Sequence, residues 1–101
     1  MINPQQLTIP ADKLRDLCAR YSIRELALFG SAITEHFTPE SDVDVLVEFQ
    51  PYARVGFLTL SRLQRELSTL FKRQVDLVSK NGLKAPIRES VLATAQIIYA
   101  A

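Results

Sequence analysis

The sequence predicts an α/β domain with a mixed sheet flanked by helices, and two patterns support this fold class. Short apolar runs rich in β-branched residues alternate with segments whose apolar residues recur every three or four positions. The first pattern is typical of strands and the second of helices. At 101 residues, the chain is long enough to bury a core. We expect residues 1–101 to form a single domain of alternating helices and strands.

The N-terminal half predicts one helix and two strands. Pro10 suits the start of a helix, and the apolar residues after it recur at helical spacing, which predicts a helix over Ala11–Arg20. The apolar run Ile23–Phe29 predicts a buried strand. The β-branched run Val43–Phe49 predicts a second strand, in the centre of the sheet.

The C-terminal half predicts two helices and two further strands. Leucines at steps of three and four predict a helix from Gly56 to Phe71. A third strand is predicted over Gln74–Val78. The spacing of Leu83, Ile87, Val91 and Leu92 predicts a last helix that Pro86 either breaks early or begins, and Ile97-Ile98-Tyr99 predicts a short closing strand.

The composition argues against several classes of function. Lys and Arg number 12 against 11 Asp and Glu, so a protein that mainly coats nucleic acid or an anionic membrane is not expected. Cys18 is the only cysteine, which excludes an internal disulfide and a cysteine-based metal cluster. No apolar run approaches the roughly 18 residues of a membrane span. We expect a cytoplasmic protein with no direct contact to membrane or nucleic acid.

Three aspartates lie within the predicted strands. Asp42 and Asp44 begin the second strand, and because side chains alternate across a strand, both point to the same face. Asp76 lies in the third strand. If the two strands are neighbours, the three carboxylates converge, and their repulsion favours a cation between them. Carboxylate oxygens favour a hard ion, so the sequence predicts a Mg²⁺ or Mn²⁺ site with all three as catalytic metal ligands.

Gly30-Ser31 follows the first strand and predicts a phosphate-binding turn. Glycine lets a phosphate approach the backbone closely. A short helical turn is expected to begin near Ser31, whose hydroxyl and backbone N–H would then offer an anion site. Gly30 and Ser31 are therefore the predicted nucleotide-binding residues.

Each of these features has an ordinary structural explanation when taken alone. Gly-Ser is usually a simple turn, Asp-x-Asp often caps the start of a strand, and a lone acid such as Asp76 is common on an edge strand. The combination of all three, each next to a predicted strand, favours a two-metal site for nucleotide transfer.

At these residues the chain resembles the minimal nucleotidyltransferases (MNT) of the polymerase-beta superfamily. The shared pattern is a strand, Gly-Ser, about ten residues, Asp-x-Asp and a later strand aspartate. The resemblance implies the polymerase-beta-like fold and a metal-dependent transfer of AMP from ATP to a hydroxyl. It also implies that Gly30 and Ser31 hold the triphosphate, that Asp42 and Asp44 bind both metals, and that Asp76 binds the catalytic metal and helps activate the attacking hydroxyl.

The resemblance further implies a partner. Stand-alone members of the family are often antitoxins that adenylylate a tyrosine of a HEPN-type ribonuclease toxin, with which a hetero-oligomer is expected. The chain departs from its relatives after Gly-Ser, where they usually carry a small residue, Arg and Gly, whereas Ala32–His36 stands here. Glu35 adds negative charge close to the expected triphosphate, which would weaken its binding.

Two alternatives remain open at the level of sequence. With an altered turn, the chain could be a catalytically weak or inactive antitoxin that neutralises its toxin by binding alone. A subunit of an antibiotic-modifying nucleotidyltransferase is less favoured, because 101 residues leave no second domain to form a small-molecule pocket. Lys80 and Lys84, just after the third strand, are additional candidates to contact the triphosphate.

Overall fold

The computed structural model describes residues 9–30 and 42–101. The helices and strands in these residues are α1 (Ala11–Arg20), β1 (Ile23–Phe29), β2 (Val43–Phe49), α2 (Phe57–Phe71), β3 (Val75–Ser79), α3 (Ala85–Thr94) and β4 (Gln96–Ala100).

The predicted elements agree closely with the structure. The bounds of α1, β1 and β2 are those expected from the sequence. Helix α2 begins one residue later than expected because Gly56 is extended and forms its N-cap. Strand β3 is shifted by one residue, to Val75–Ser79, and a short 3₁₀ helix follows over Lys80–Gly82. The helical turn expected near Ser31 lies outside the described residues.

The strands form a mixed sheet in the order β3-β2-β1-β4, which confirms the predicted fold class. Strand β1 is antiparallel to both of its neighbours, whereas β2 and β3 are parallel. Because of these directions, the end of β1 and the starts of β2 and β3 meet at one end of the sheet, which we call the site end. The opposite end of the sheet is called the far end.

Helices α1 and α2 cover one face of the sheet and build the hydrophobic core with it. Side chains at alternate positions of the strands point into this core. The largest fully buried side chains of the core come from α1, α2, β1, β2, β3 and the residue at position 9 before α1. They are Ile9, Leu14, Ile23, Leu26, Leu28, Val43, Val45, Val47, Leu63, Leu67 and Val75. The remaining positions, among them Asp44, Leu46 and Glu48, point to the opposite face. We call this second face the carboxylate face.

Cys18 belongs to the core, as its place on the apolar side of α1 predicts. Its side chain is fully buried, and burial raises the pKa of the Cys18 thiol to about 12. The thiol therefore stays protonated and acts as a small apolar side chain.

Helix α3 packs less tightly than α1 and α2. None of its residues is buried, and Ile87 is 52% exposed. No helix in residues 9–30 and 42–101 has both the length and the apolar character needed to cross a membrane.

Candidate active site

Asp44 and Asp76 lie side by side at the site end of the sheet. In the parallel register of β2 and β3, Asp44 is the direct partner of Asp76, and neighbouring strands are about 4.8 Å apart. The register therefore places both side chains on the carboxylate face. Asp44 is half-buried and Asp76 is exposed. Two of the three predicted aspartates, one from the second strand and one from the third, therefore lie next to each other.

Gly30 lies directly against the Asp44 carboxylate. Phe29, the last residue of β1, is the register partner of Asp44, so the chain leaves β1 beside this side chain. Gly30 has a φ of +67°, in the left-handed region that glycine favours. A Cβ atom at this position would lie 2.3 Å from Asp44 Oδ2, which is a severe overlap. Gly30 thus suits the left-handed backbone and the close approach of the carboxylate, and any side chain at this position would displace the Asp44 carboxylate.

The electrostatics of Asp44 reflect its like-charged neighbours. Burial, followed by the negative charges of Asp76 and Asp42, raises the pKa of the Asp44 carboxyl above its ordinary value. In the described residues, no ion pair involves Asp44 or Asp76. A cation bound at this point would relieve the repulsion and favour the ionised form of Asp44.

Asp42 lies two residues before Asp44, at the start of β2, and its side chain is exposed. The backbone next to it is fixed to β3, since Val43 N–H donates to the carbonyl oxygen of Gln74 at 2.8 Å. Within the described residues, no three acidic, histidine or cysteine side chains are close enough to enclose a metal ion on their own. Asp44 and Asp76 therefore form the centre of the carboxylate group, and Asp42 lies at its margin.

This donor set fits a magnesium-like ion. Mg²⁺ keeps several water ligands and is usually bound by one or two carboxylates together with the phosphates of a substrate. Asp44 and Asp76 supply two carboxylates side by side, and the missing Cβ of Gly30 lets the backbone pass close to the Asp44 carboxylate. The oxygen-only chemistry of the pair favours Mg²⁺ or Mn²⁺ over softer metals.

Two side chains of α2 hold β3 in place, and neither is among the site residues predicted from the sequence. Ser68 Oγ accepts a hydrogen bond from Val75 N–H at 3.0 Å, and Gln64 Oε1 accepts one from Leu77 N–H at 3.1 Å. The two donors, Val75 and Leu77, flank Asp76 in the sequence, so α2 fixes the backbone that carries the second carboxylate. Polar residues four apart on an otherwise apolar helix face were the available signal, but their partner is defined only by the tertiary packing.

Lys80 does not lie near the predicted triphosphate site. Its Nζ lies 3.4 Å from Glu48 Oε1 and 3.9 Å from Glu25 Oε1, at the far end of the sheet. Asp44 and Glu48 are four residues apart on β2, which corresponds to about 13 Å. The prediction that Lys80 contacts the triphosphate is therefore wrong, because β3 runs away from the site end before it reaches this lysine.

The other half of the predicted motif falls in residues that the structure does not describe. Ser31, the second predicted nucleotide-binding residue, and the turn Ala32–His36 lie outside the described residues. Their expected roles stay predictions. Of the nucleotide-binding pair, Gly30 alone is placed, next to Asp44.

The fold and the family comparison define the class of this protein as a nucleotidyltransferase. Residues 12–101 match the family described as Polymerase beta, Nucleotidyltransferase, and the chain belongs to that family. Protein adenylyltransferase MntA of Thermococcus cleftensis is 34% identical over 85 residues, which cover 84% of this chain and 82% of the relative.

Solved structures share the fold. One that is provisionally assigned as a minimal nucleotidyltransferase is 32% identical, with a TM-score of 0.69 over 88% of this chain and 87% of that chain. A toxin–antitoxin structure with AMP-PNP has a TM-score of 0.73 at 18% identity, covering 92% and 75% of the two chains. A complex of tri-AMPylated Shewanella oneidensis HEPN toxin with MNT antitoxin has a TM-score of 0.64 at 18% identity, covering 90% and 70%.

Proposed function

We propose that this protein is an antitoxin that transfers AMP from ATP to a tyrosine of a HEPN-type toxin. The observation that carries the proposal is the pairing of Asp44 with Asp76 against Gly30. Two supports come from similar proteins: one relative is named a protein adenylyltransferase, and one structure of the same fold contains an AMPylated HEPN toxin together with its MNT antitoxin.

The reaction forms one bond and breaks one. The tyrosine hydroxyl oxygen attacks the α-phosphorus of ATP, the bond from that phosphorus to the bridging oxygen breaks, and pyrophosphate leaves. The hydroxyl proton passes to the carboxylate of Asp76 as the new phosphodiester forms. A Mg²⁺ or Mn²⁺ ion held by Asp42, Asp44 and Asp76 supplies charge neutralisation at the phosphates when bound.

The residues of the chain contribute mainly position. Asp44 is held by the central strand β2 and by its contact with Gly30. Asp76 is exposed at the face where an acceptor would arrive, on a backbone segment fixed by Gln64 and Ser68. Gly30, followed by Ser31, would let the triphosphate approach the backbone next to these carboxylates. Preorganisation of this kind lowers the barrier to phosphoryl transfer without a covalent intermediate.

The experiment that tests the proposal uses the purified chain with its toxin, ATP and Mg²⁺. The intact mass of the toxin is measured before and after incubation. We expect a gain of one or more adenylyl groups, mapped to tyrosine, which requires all four components. Asp42→Ala and Asp44→Ala should each abolish this gain while circular dichroism shows an unchanged fold.

A different outcome would support the second candidate function. The turn Ala32–His36 lacks the basic residue and glycine that relatives carry, which favours a site with weak or no catalysis. If the toxin gains no mass but forms a tight complex that blocks its ribonuclease activity, the protein acts by binding alone. Full transfer by both aspartate variants, at matched folding, would remove the proposed catalytic site.

A further inference from the structure

A basic groove runs between α1 and α2, on the helix layer of the molecule. It has a volume of about 740 Å³. The groove lies across the sheet from Asp44 and Asp76, because the helices cover the face opposite to the carboxylate face. An occupant of the groove would therefore leave the carboxylates accessible. The five basic side chains that line the groove are Lys13, Arg20, Arg62, Arg65 and Lys72.

The groove is more basic than the rest of the chain. The whole chain has a formal net charge of +1, whereas the groove sets its five basic side chains against only Asp16 and Glu66. Every charged residue of α2, namely Arg62, Arg65 and Glu66, lines this groove. The outward charge of the helix is therefore concentrated on one side, instead of being spread over its surface as on an ordinary solvated helix.

One of the two groove acids is already engaged. Arg20 Nη2 donates to Glu66 Oε1 at 3.1 Å, and the Tyr21 hydroxyl donates to Glu66 Oε2. The hydrogen bonds from Tyr21 and then Arg20 hold the pKa of Glu66 below its ordinary value, against the opposing effect of burial. Glu66 is thus an internal partner of the groove wall: its hydrogen bonds go to Tyr21 and Arg20, and of the other groove cations it is attracted by Arg62 without an ion pair to it.

Four cations of the groove remain exposed to an incoming ligand. Among the described residues, no ion pair involves these side chains, which are Lys13, Arg62, Arg65 and Lys72. All four are exposed. They lie on both walls of the groove, one on α1 and three on α2 or at its end.

The floor of the groove is apolar. Pro10 and Leu70 are partly exposed there and present the apolar surface, above the core residue Leu17. A groove between two helices that has an apolar floor and cationic walls complements a third helix with an apolar stripe and acidic flanks. Single-stranded nucleic acid fits less well, because it binds through aromatic stacking as well as charge, and the residues lining the groove include no aromatic side chain.

We propose that the groove between α1 and α2 is a docking site for an acidic amphipathic helix of a partner protein. The apolar stripe of that helix packs on Pro10 and Leu70, the partly exposed apolar residues of the groove. Its carboxylates pair with Lys13 on one wall and with Arg62 and Arg65 on the other. This surface is separate from the carboxylate site, and the inference does not depend on the proposed reaction.

The test uses the full chain and a synthetic fluorescent peptide. The peptide is about 18 residues long, because a helix of that length spans about 27 Å, and it carries a leucine stripe flanked by glutamates. A peptide of the same composition in scrambled order lacks the stripe. A single-stranded oligonucleotide serves as the probe for nucleic acid. Binding is measured by fluorescence anisotropy at low and moderate salt.

We expect the striped peptide to bind and the double variant Arg62→Glu/Arg65→Glu to weaken binding at least about tenfold, which is about 1.4 kcal/mol. The variant Lys13→Glu/Lys72→Glu should weaken it in the same direction. The matched control Arg24→Glu/Arg54→Glu makes the same charge change at exposed positions outside the groove and should change binding by less than about twofold. Circular dichroism confirms that each variant is folded.

Four outcomes would overturn the proposal. In the first, the striped peptide does not bind the parent chain, and in the second, the control substitutions weaken binding as much as the groove substitutions do. In the third, the scrambled peptide binds as tightly as the striped one. In the fourth, the oligonucleotide binds more tightly than the peptide and depends on Arg62 and Arg65 in the same way. The second and third would mean that charge alone attracts the peptide. The fourth would assign the groove to nucleic acid.

Discussion

Two pairs of facing acids lie on the carboxylate face, one at each end of the sheet, and their surroundings differ. At the far end, Glu25 is the register partner of Glu48, and Lys80 reaches both carboxylates. At the site end, Asp44 is the register partner of Asp76, and no lysine or arginine of the described residues forms an ion pair with either. One pair is partly neutralised by a lysine of the chain itself, and the other is arranged to take a cation from outside.

The comparison separates a structural charge cluster from a candidate functional one. Two acids in register are a repulsive arrangement in both cases. At the far end, the repulsion is offset by Lys80, which directly follows β3. At the site end, the repulsion is not offset by a base, and together with burial it raises the pKa of Asp44. Gly30 lies beside this carboxylate. Neighbouring carboxylates without an internal base, close to a glycine backbone, are the arrangement that a metal–phosphate site uses.

The largest expected effect comes from Asp44→Asn. The amide keeps the shape of the side chain but removes its charge, so adenylyl transfer should fall by about 10²–10³-fold, since charge stabilisation by a bound metal is worth several kcal/mol. The rate is measured by the intact mass of the toxin over time. Glu48→Gln is the matched control, with the same kind of change on the same strand and face, and should leave the rate within about twofold. Equal losses in both variants would remove the distinction between the two ends.

The next effect is expected from Gly30→Ala. The added Cβ would overlap Asp44 Oδ2, and the left-handed backbone would be strained, so the carboxylate must move. A displacement of about 1 Å costs about 10²-fold in rate. Gly56→Ala is the control, since a Cβ there would meet no atom within 4 Å. An active Gly30→Ala enzyme would show that the position of Asp44 is not critical.

A smaller effect is expected from Gln64→Met. Methionine keeps the length of the side chain but cannot replace the acceptor of Leu77 N–H, so the backbone that carries Asp76 becomes less fixed. We expect a rate reduced by about three- to tenfold, within the roughly 0.5–1.5 kcal/mol of one hydrogen bond. Gln64→Glu keeps a side-chain oxygen acceptor and should restore most of the rate. If both variants behave alike, the hydrogen bond does not position Asp76.

At the far end, Lys80→Met is expected to lower stability without a loss of activity. The substitution leaves Glu25 and Glu48 facing each other without their base. Because these groups are partly exposed, the free energy of unfolding should fall by about 1 kcal/mol. Urea denaturation followed by circular dichroism measures the change. A strong loss of transfer at unchanged stability would instead place Lys80 in the reaction.

The smallest effect is a pH-dependent gain of stability in Asp44→Asn. The pKa of Asp44 is raised in the folded protein, so the folded state resists ionisation, and the stability of the parent chain falls as pH rises from the ordinary value of 3.8 through the folded value. In EDTA at neutral pH, Asp44→Asn should be more stable by less than about 1 kcal/mol, and the difference should vanish in acid. Mg²⁺ should raise the melting temperature of the parent chain only. A less stable variant in EDTA would contradict the repulsion.

Local sequence patterns predicted most of the fold. Periodicity alone places α1, β1 and β2, because each element has a strong pattern bounded by proline, glycine or turn residues. The same patterns led to Asp44 and Asp76, since a charged residue is unusual in a buried strand. Local patterns do not encode the adjacency of β2 and β3, which the parallel register shows.

The remaining features depend on contacts between distant parts of the chain. Lys80 comes four residues after Asp76 in the sequence, but β3 runs away from the site end and places Lys80 at the far end of the sheet. Gln64 and Ser68 look like ordinary polar residues of a surface helix until β3 is placed beside them. The groove is assembled from charges on two helices that are about forty residues apart, so no local window of sequence contains it.

The hydrogen bonds from β3 to α2 also bear on self-association. Strand β3 is an edge of the sheet, and exposed edge strands invite pairing with strands of other molecules, which leads to aggregation. Ser68 and Gln64 occupy the outward N–H groups of Val75 and Leu77, so an incoming strand would have to displace two intact hydrogen bonds before it could extend the sheet. The contacts that fix a candidate catalytic aspartate thus also protect the molecule against polymerising along that edge.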